Sequence, residues 1–188
     1  MRLVLLGPPG AGKGTQAVGL AARLGVPAIS TGDIFRSNIK GGTELGKLAQ
    51  SYTSTGRLVP DEVTNDMVRD RLTHDDVAPG FLLDGYPRNA AQVEALDAML
   101  AASGTPLDAV VLITADTDAL VQRLLKRAEI EGREDDTEDV IRHRQEVYAA
   151  ETAPLIDIYD GRGMLLRVDG MGEITEVTDR LFAALDGR

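Results

Sequence analysis

The chain has 188 residues, of which 43% are hydrophobic and 27% are charged, a composition typical of one globular domain and not of a disordered segment. Its formal net charge of −10 argues against nucleic acid or an anionic membrane surface as the main partner. The chain contains no cysteine, which excludes disulfide bonds and zinc sites built on thiolates.

The apolar segments of the sequence are all short. None reaches the roughly 18 residues that a membrane-spanning helix needs, and the run at 3–6 is too short for the apolar centre of a signal peptide. We therefore expect a cytoplasmic protein without a membrane partner. Because no segment indicates an interface, we also expect a monomer.

Five apolar runs predict buried strands, and they lie at 2–6, 26–30, 80–84, 109–113 and 164–168. The segments between them show the periodicity of helices. This alternation predicts an α/β fold in which a five-stranded parallel sheet has helices packed on both faces. Right-handed crossovers would place the carboxyl ends of the strands at one edge, where ligands bind in open α/β sheets.

Two segments interrupt this alternation. Residues 31–73 are predicted to form several short helices, and residues 128–136 are polar and lie between two helical patterns. We interpret both as inserts that move relative to a core made of residues 1–30, 74–127 and 137–188. No repeat or interdomain linker divides the chain, which indicates a single domain.

The segment 7–15, with the sequence G-P-P-G-A-G-K-G-T, directly follows the first predicted strand and leads into a helical pattern. Its G-x4-G-K spacing is that of a loop whose backbone amides hold a polyphosphate. Lys13 would reach the terminal phosphates, and the amino end of the following helix would add a favourable field. The sequence therefore predicts a phosphate-binding loop in its expected strand-to-helix context.

The residue after Lys13 departs from the general form of this loop. Gly14 stands where a Ser or Thr usually binds magnesium, with Thr15 behind it. This departure weakens a GTPase or motor-ATPase interpretation, as does the absence of an N-K-x-D segment that would read guanine. It fits a kinase whose magnesium is held mainly by substrate phosphates and water.

Asp84 ends the third predicted strand, beside the predicted phosphate loop. Its carboxylate would steer magnesium through a bound water, or it would cap the turn that begins at Gly85. The neighbouring phosphate loop favours the magnesium role. Arg88 follows the turn at 85–87, which would point its guanidinium group across the same edge of the sheet.

Three further arginines lie on predicted helices. Arg144 shares an apolar face with residues three and four positions away, where a charge needs an anionic partner or must extend to solvent. The residues alone leave both possibilities open. Arg123 and Arg127 flank an apolar stripe, and an ordinary solvated helix face is the simpler interpretation for them.

These segments resemble the adenylate kinases, a family of nucleoside monophosphate kinases, and the resemblance runs through essentially the whole chain. The residues that carry it, in matching order and spacing, are 7–15, Thr31-Gly32-Asp33, Arg36, Leu58-Val59-Pro60, Asp84-Gly85-Tyr86-Pro87-Arg88, Gln92 and Arg144. The segments 7–15 and 84–88 are specific to nucleoside monophosphate kinases. Thr31, where pyrimidine-specific relatives usually carry alanine, favours AMP as the acceptor.

The resemblance implies a P-loop three-layer fold, in which 31–73 is a helical insert that binds the nucleoside monophosphate and 128–136 is a short lid of the zinc-free type. It implies the reversible transfer of the terminal phosphoryl group of ATP to AMP, which gives two ADP. It also implies Mg2+ bound with ATP, no zinc, and no partner beyond these small-molecule substrates.

The resemblance further implies roles for individual residues. The ATP site would contain Gly10, Ala11, Gly12, Lys13, Gly14, Thr15, Arg123, Arg127 and Gly172. The AMP site would contain Thr31, Arg36, Arg57, Leu58, Val59, Gly85, Tyr86, Pro87, Arg88, Gln92, Arg133 and Arg144. The catalytic residues would be Lys13, Arg88, Arg127, Arg133 and Arg144. Asp84 would hold magnesium through water, Gln92 would read the adenine edge, and only the backbone of Arg57 would matter.

Three other functions remain possible on the sequence. A kinase for UMP, CMP or dTMP is the nearest, and Thr31 together with Gln92 argues mildly against it. A nucleotide-dependent switch or ATPase is disfavoured by the missing N-K-x-D segment and by the second arginine-lined site. A small-molecule kinase on the same core would lack the D-G-Y-P-R segment at 84–88.

Overall fold

A computed structural model of the chain describes residues 1–131 and 137–187. Its sheet has five parallel strands in the order β2-β3-β1-β4-β5. The strands are β1 (Arg2–Leu6), β2 (Ala28–Ser30), β3 (Phe81–Asp84), β4 (Ala109–Thr114) and β5 (Leu165–Asp169). Each predicted boundary lies within two residues of the observed one, so the predicted five-stranded parallel sheet is confirmed.

Helices connect the strands and cover the sheet. They are α1 (Lys13–Leu24), α2 (Thr31–Lys40), α3 (Glu44–Thr53), α4 (Asp61–Arg71), α5 (Ala90–Ser103), α6 (Thr117–Glu131), α7 (Glu138–Val147), α8 (Leu155–Gly161) and α9 (Ile174–Asp186). A short 3-10 turn, Asp75–Val77, precedes β3, and a π-helical turn, Tyr148–Thr152, links α7 to the segment before α8. Within the described residues, no helix is both long enough and apolar enough to cross a membrane.

The strand β1 shows how the core divides into two layers. Leu3 and Leu5 pack in a cluster that includes side chains of α1 and α9, such as Leu20 and Leu181. The alternating residues of the same strand pack on the opposite face, in a cluster with side chains of α5 and α8. Because successive side chains of a strand point to opposite faces, this one apolar strand ties both layers together. The prediction of helices on both faces is confirmed.

The segment 31–73 forms the three helices α2, α3 and α4. A separate apolar cluster holds them, centred on Phe35, Ala49 and Val59. Val68 near the end of α4 belongs instead to the main core on one face of the sheet. The helix α4 therefore contacts both clusters, whereas the apolar side chains of α2 and α3 pack mainly in the smaller one. Movement of 31–73 relative to the core stays a prediction.

The predicted lid, 128–136, begins within a helix. Helix α6 continues to Glu131, so the first four residues of this segment are helical. Residues 132–136, which include Arg133, lie outside the described residues. The lid and the role of Arg133 stay predictions.

Candidate active site

Lys13 helps to shape the loop between β1 and α1. Its Nζ atom donates hydrogen bonds to the carbonyl oxygens of Gly7, at 2.7 Å, and Pro8, at 3.0 Å. Gly10 has a φ of +88°, and a Cβ atom there would lie 2.9 Å from the carbonyl oxygen of Leu120. Glycine is required at this position because the backbone conformation and the neighbouring helix α6 both exclude a side chain.

The amino end of α1 lies at the end of this loop. Gly12 is its N-cap residue and supplies no side chain to bond the amides of the first turn. Amides at the start of a helix attract anions, because their hydrogens are not used within the helix and the helix dipole is positive there. Together with Lys13, they lie where the G-x4-G-K spacing predicts a polyphosphate site.

Positive charge is concentrated around the ammonium group of Lys13. Burial is the main reason that the pKa of Lys13 falls to about 8. The carboxylate of Asp84 opposes this shift, whereas three guanidinium groups also contribute to the lowered pKa; they belong to Arg88, Arg144 and Arg127. Because these four cations repel one another, a bound polyanion would stabilise them.

The turn after β3 fixes the position of Arg88. Gly85 has a φ of +81°, and a Cβ atom there would lie 2.8 Å from the hydroxyl oxygen of Thr31. That hydroxyl donates a hydrogen bond to the Gly85 carbonyl oxygen at 2.9 Å, and Arg88 Nε donates to the same oxygen at 2.8 Å. The peptide bond between Tyr86 and Pro87 is cis. The start of α2 and the turn after β3 are thus joined through one carbonyl group.

The guanidinium group of Arg88 lies in a buried, positively charged environment. Burial is the main reason that its pKa falls to about 10; Arg144 and Arg36 also lower the pKa, and Asp84 acts in the opposite direction. Its backbone carbonyl accepts a hydrogen bond from the Thr152 hydroxyl at 2.7 Å. Both the side chain and the main chain of Arg88 are therefore held by neighbouring elements.

Asp84 lies where the prediction places it, at the carboxyl end of β3. It is paired with Leu5 of β1 and Ser30 of β2, and the residue is only 8% exposed. A Cβ atom added to Gly14 would lie 3.8 Å from Asp84 Oδ2, so the carboxylate borders the phosphate loop. Among the described residues, no group of three or more acidic or histidine side chains could hold a metal ion without other ligands.

Two cavities meet at this edge of the sheet. The larger has a volume of about 750 Å3, and the smaller, of about 60 Å3, borders the phosphate loop. Nine of the predicted AMP-site residues line the larger cavity: Thr31, Arg36, Arg57, Leu58, Val59, Gly85, Arg88, Gln92 and Arg144. Arg88 and Arg144 line both cavities, and Lys13 lines the smaller one. The structure therefore brings the two predicted sites together at shared arginines.

Two predicted AMP-site residues do not line the larger cavity, and the side chain of a third, Arg57, is held by contacts within the insert. Pro87 lines only the smaller of the two cavities, and Tyr86 lines neither. Tyr86 is fully buried, and its hydroxyl donates to Asn65 Oδ1 at 2.7 Å. The guanidinium group of Arg57 bonds the Thr55 hydroxyl and the Ser51 carbonyl oxygen. These contacts within the insert agree with the expectation that Arg57 contributes its backbone.

Arg123 reaches the loop that follows β5. Its guanidinium group donates to the carbonyl oxygen of Gly170 at 3.3 Å and lies 3.6 Å from the sulfur of Met171. A Cβ atom added to Gly170 would lie 3.2 Å from the Ala11 carbonyl oxygen, so this loop touches the phosphate loop. Arg123 is therefore not part of an ordinary solvated helix face. Its contacts and the loop that contains Gly172 lie beside the predicted ATP site.

Helix α7 also contacts the phosphate loop. Gln145 Nε2 donates to the carbonyl oxygen of Pro9 at 2.9 Å. A Cβ atom added to Gly56, in the segment after α3, would lie 3.2 Å from Arg144 Cγ. The side chain of Arg144 thus lies between the insert and the phosphate loop, which agrees better with an anionic partner than with extension to solvent.

Comparison with known proteins identifies the family of the chain. The sequence model of the adenylate kinase family matches residues 5–164. The chain belongs to the adenylate kinase family. It is 64% identical over 185 residues to an adenylate kinase of Kocuria rhizophila, covering 98% of each chain. It is 60% identical to one of a Nocardioides species, covering 99% of this chain and 97% of the relative. It is 57% identical over 188 residues to one of Thermobifida fusca, covering 100% of both.

The sequence prediction missed several residues that support the site of this adenylate kinase family member. Asn89 caps α5 with its side chain, and an Asn directly before an apolar helix pattern was a usable signal. Asp61, at the start of α4, accepts hydrogen bonds from the side chains of Asn89 and Gln92. Gln145 and Thr152 contact the site across large sequence separations, for which the local sequence carries no signal.

Proposed function

We propose that this chain catalyses the reversible transfer of the terminal phosphoryl group of ATP to AMP, which yields two molecules of ADP and balances the adenine nucleotides. The observation that carries this proposal is that Arg88 and Arg144 line both the small cavity beside the phosphate loop and the large cavity that residues of the insert line. A site for two anionic nucleotides, placed end to end, requires such shared cations between them.

The donor nucleotide is assigned to the phosphate loop. The amides of Gly10 to Thr15 would hold the phosphates of ATP, and Lys13 would follow the group that is transferred. Arg123 and Arg127 on α6 would contact ATP, with Gly172 beside the adenine ring. The hydrogen bond from Arg123 to Gly170 supports this assignment, because it places the loop after β5 next to the phosphate loop.

The acceptor AMP is assigned to the large cavity. Its volume of about 750 Å3 is ample for one nucleotide, and its walls combine apolar side chains with cations. The phosphate of AMP would lie near Arg36, Arg88 and Arg144, and the base would reach Gln92. The pairing of Arg36 with Asp33 in this structure would give way to the phosphate when AMP binds.

The proposed chemistry is a direct, in-line displacement. An oxygen of the AMP phosphate attacks the γ-phosphorus of ATP, and the bond from that phosphorus to the β-phosphate oxygen breaks. One phosphoanhydride bond is lost and one is formed, so the reaction runs near equilibrium in either direction. No general base is needed because the attacking phosphate is already anionic. Catalysis then depends on alignment and on the cations Lys13, Arg88, Arg127 and Arg144, with Arg133 expected to join them.

Magnesium would enter the site with ATP. Among the residues that the structure describes, a single carboxylate, that of Asp84, is buried, and it lies beside the phosphate loop. This donor set fits Mg2+, which usually keeps several waters and binds through one or two carboxylates together with substrate phosphates. Asp84 would hold the ion through a water molecule, and the ion would reduce the charge of the phosphate oxygens. We expect no zinc, since the sequence has no cysteine.

Closure of the site would exclude water, which competes with AMP as an acceptor. Closure of a lid is the established behaviour of adenylate kinases, and we carry it over to 31–73 and 128–136. The enzyme is proposed to act as a cytoplasmic monomer. Removal of 129–135 should increase ATP hydrolysis relative to transfer, because water would then reach the γ-phosphate.

The direct test of the activity is to incubate the protein with ADP and Mg2+ alone and to follow all nucleotides by chromatography. We expect ATP and AMP to appear in equal amounts. A UMP or CMP kinase, an ATPase and a small-molecule kinase would not produce both from ADP. Absence of AMP, or release of inorganic phosphate in place of ATP, would refute the proposed function.

A further inference from the structure

Both polar atoms of the Gln92 side-chain amide form hydrogen bonds, one to a group that can only donate and one to a group that can only accept. Its Oε1 atom accepts a hydrogen bond from the backbone N–H of Arg88 at 2.7 Å, and its Nε2 atom donates to Asp61 Oδ1 at 2.7 Å. Gln92 lines the large cavity although the residue is only 2% exposed. It therefore has a fixed environment within the wall of the cavity.

The polarity of these contacts allows one orientation of the amide. A backbone N–H is only a donor, and a carboxylate is only an acceptor. Rotating the amide by 180° would place the Nε2 group of Gln92 against the N–H of Arg88, and its Oε1 atom against the carboxylate of Asp61. Both contacts would then be repulsive, in a buried setting where each unmade hydrogen bond is costly.

A second amide reinforces this arrangement. Asn89 Nδ2 donates to the same oxygen of Asp61 at 2.9 Å, and Asn89 Oδ1 accepts from the backbone N–H of Gln92 at 2.9 Å. The carboxylate of Asp61 is half-buried at the first residue of α4. It thus fixes two neighbouring amides at once and joins the insert to the start of α5.

We propose that Asp61 is a positioning residue that makes the acceptor site select a purine with an amino group at position 6 over one with an oxo group. An amide nitrogen has two hydrogens and an amide oxygen has two lone pairs. The described contacts of the Gln92 amide use one of its hydrogens and one of its lone pairs, which leaves one donor and one acceptor for a base. This inference rests on the proposed function, because it requires the acceptor nucleotide to lie in this cavity.

A fixed orientation of the Gln92 amide would distinguish AMP from IMP, because the two bases present opposite hydrogen-bonding patterns. Adenine presents a donor at N6 and an acceptor at N1, whereas hypoxanthine presents an acceptor at O6 and a donor at N1. For a base held in one pose, Gln92 must rotate by 180° to pair with hypoxanthine in place of adenine. Because Asp61 opposes that rotation, IMP would face two unmatched hydrogen bonds, and sites of this kind discriminate strongly.

Steady-state kinetics with two acceptors test the proposal. The kcat/KM values for AMP and for IMP, each with saturating MgATP, are measured for the parent protein, Asp61→Ala, Asp61→Asn and Glu62→Ala. Glu62→Ala is the matched control, since it removes an exposed acidic side chain from the same turn of α4. We expect Asp61→Ala to lower the ratio of the AMP value to the IMP value by about ten- to a hundredfold.

The two other variants test whether Asp61 acts by orienting Gln92 or only through its charge or its effect on protein stability. Asp61→Asn keeps an acceptor oxygen, which Asn89 holds toward Gln92, and we expect its ratio to stay within about threefold of the parent. Glu62→Ala should leave the ratio unchanged. A purely structural role of Asp61 would lower both kcat/KM values, and Tm, while the ratio stays constant. That result would overturn the proposal, as would equal ratios for Asp61→Ala and Glu62→Ala, or a ratio for Asp61→Asn as low as that for Asp61→Ala.

Failure of this inference and failure of the proposed function give different results. If the parent protein does not convert ADP to ATP and AMP, the proposed function is wrong. If it does so but uses AMP and IMP equally well, the reaction stands and the selectivity assigned to Asp61 and Gln92 is wrong.

Discussion

The phosphate loop and the insert at 31–73 line the same edge of the sheet, but they are built in different ways. The loop is one short segment whose shape depends on its own residues, such as Gly10 and Lys13. The wall of the large cavity combines side chains of α2, of the segment after α3, and of α5. A site formed by one continuous segment is readable from the sequence, whereas a site assembled from distant segments depends on how they pack.

The two regions also differ in how their apolar side chains are arranged. The loop lies between elements of the main core, beside β1 and α6. The helices α2 and α3 rely mainly on the smaller cluster around Phe35, Ala49 and Val59. We infer that donor binding uses a preformed surface, whereas acceptor binding and closure draw on the less deeply anchored region. The predictions that follow test this contrast.

The largest expected effect concerns the arginines that the two cavities share. Arg88→Ala and Arg144→Ala should each lower kcat by about 10³- to 10⁵-fold, because each removes a cation that we propose lies at the transferred group. Arg142→Ala is the control, since Arg142 lies on the same helix as Arg144 but pairs with Glu138 at the surface. Turnover is measured with saturating ATP and AMP, and Tm is measured in parallel. Near-normal turnover of Arg88→Ala would contradict its catalytic role.

A second prediction concerns the shape of the phosphate loop. Gly10→Ala forces a side chain into a positive-φ conformation and against the carbonyl oxygen of Leu120. We expect the free energy of unfolding to fall by about 1–3 kcal/mol and ATP binding to be lost. Gly19→Ala, in the exposed middle of α1 with open space around it, should raise stability by about 0.5–1 kcal/mol.

Urea unfolding and calorimetric titration with MgATP check both substitutions. If Gly10→Ala bound ATP as tightly as the parent, the loop would not need its observed shape. If Gly19→Ala lowered stability and ATP binding as much as Gly10→Ala, the loss could not be attributed to the shape of the loop.

A third prediction concerns the pH dependence of donor binding. The pKa of Lys13 is lowered to about 8 in the free protein, so the side chain loses its charge as the pH rises through that value. The kcat/KM for ATP should therefore decline above about pH 8. A bound polyanion favours the charged form, so kcat should decline only at higher pH. A variant Lys13→Arg stays charged, and whatever activity it retains should not decline near pH 8.

The lowered pKa of Lys13 also determines how its contribution to the free energy of unfolding changes with pH. Between about pH 8 and the ordinary pKa of 10.5, the unfolded chain binds a proton at Lys13 that the folded chain has released. The contribution of Lys13 to the free energy of unfolding therefore rises with pH over this window and is constant below it. A profile of kcat/KM that stays flat to pH 10 would contradict the assigned environment of Lys13.

The smallest expected effect distinguishes two arginines of the insert. Arg57→Ala should change the KM for AMP by less than about threefold, because its guanidinium group bonds Thr55 and Ser51 within the insert. Arg36→Ala should raise the same KM by about ten- to a hundredfold, since the charged hydrogen bond that we propose between Arg36 and the AMP phosphate would be lost. Steady-state kinetics with varied AMP check both, and equal effects would contradict the assignment of Arg36.

Much of the fold was predictable because it depends on local patterns. Each strand is an apolar run, and the phosphate loop is marked by its G-x4-G-K spacing. The end of α6 was less clear, because Ala128 to Glu131 lose the apolar stripe although they are good helix formers, and the helix continues through them.

Contacts between distant segments could not be predicted. Gln92 was expected to face a base, but its two fixing contacts come from a turn four residues away and from Asp61, which is 31 residues away. The bond from Gln145 to Pro9 spans 136 residues. Tyr86 lies within the segment that carries the family resemblance, yet it is buried away from both cavities. Motif membership alone does not distinguish residues that support a site from residues that line it.

A crystal structure of the protein with AMP and a non-hydrolysable ATP analogue tests the central claim most directly. We predict one nucleotide on the phosphate loop and one in the large cavity, with their phosphates facing each other between Arg88 and Arg144. A complex in which only one of the two cavities is occupied, or in which Asp84 and Arg88 lie far from any phosphate, would contradict the account.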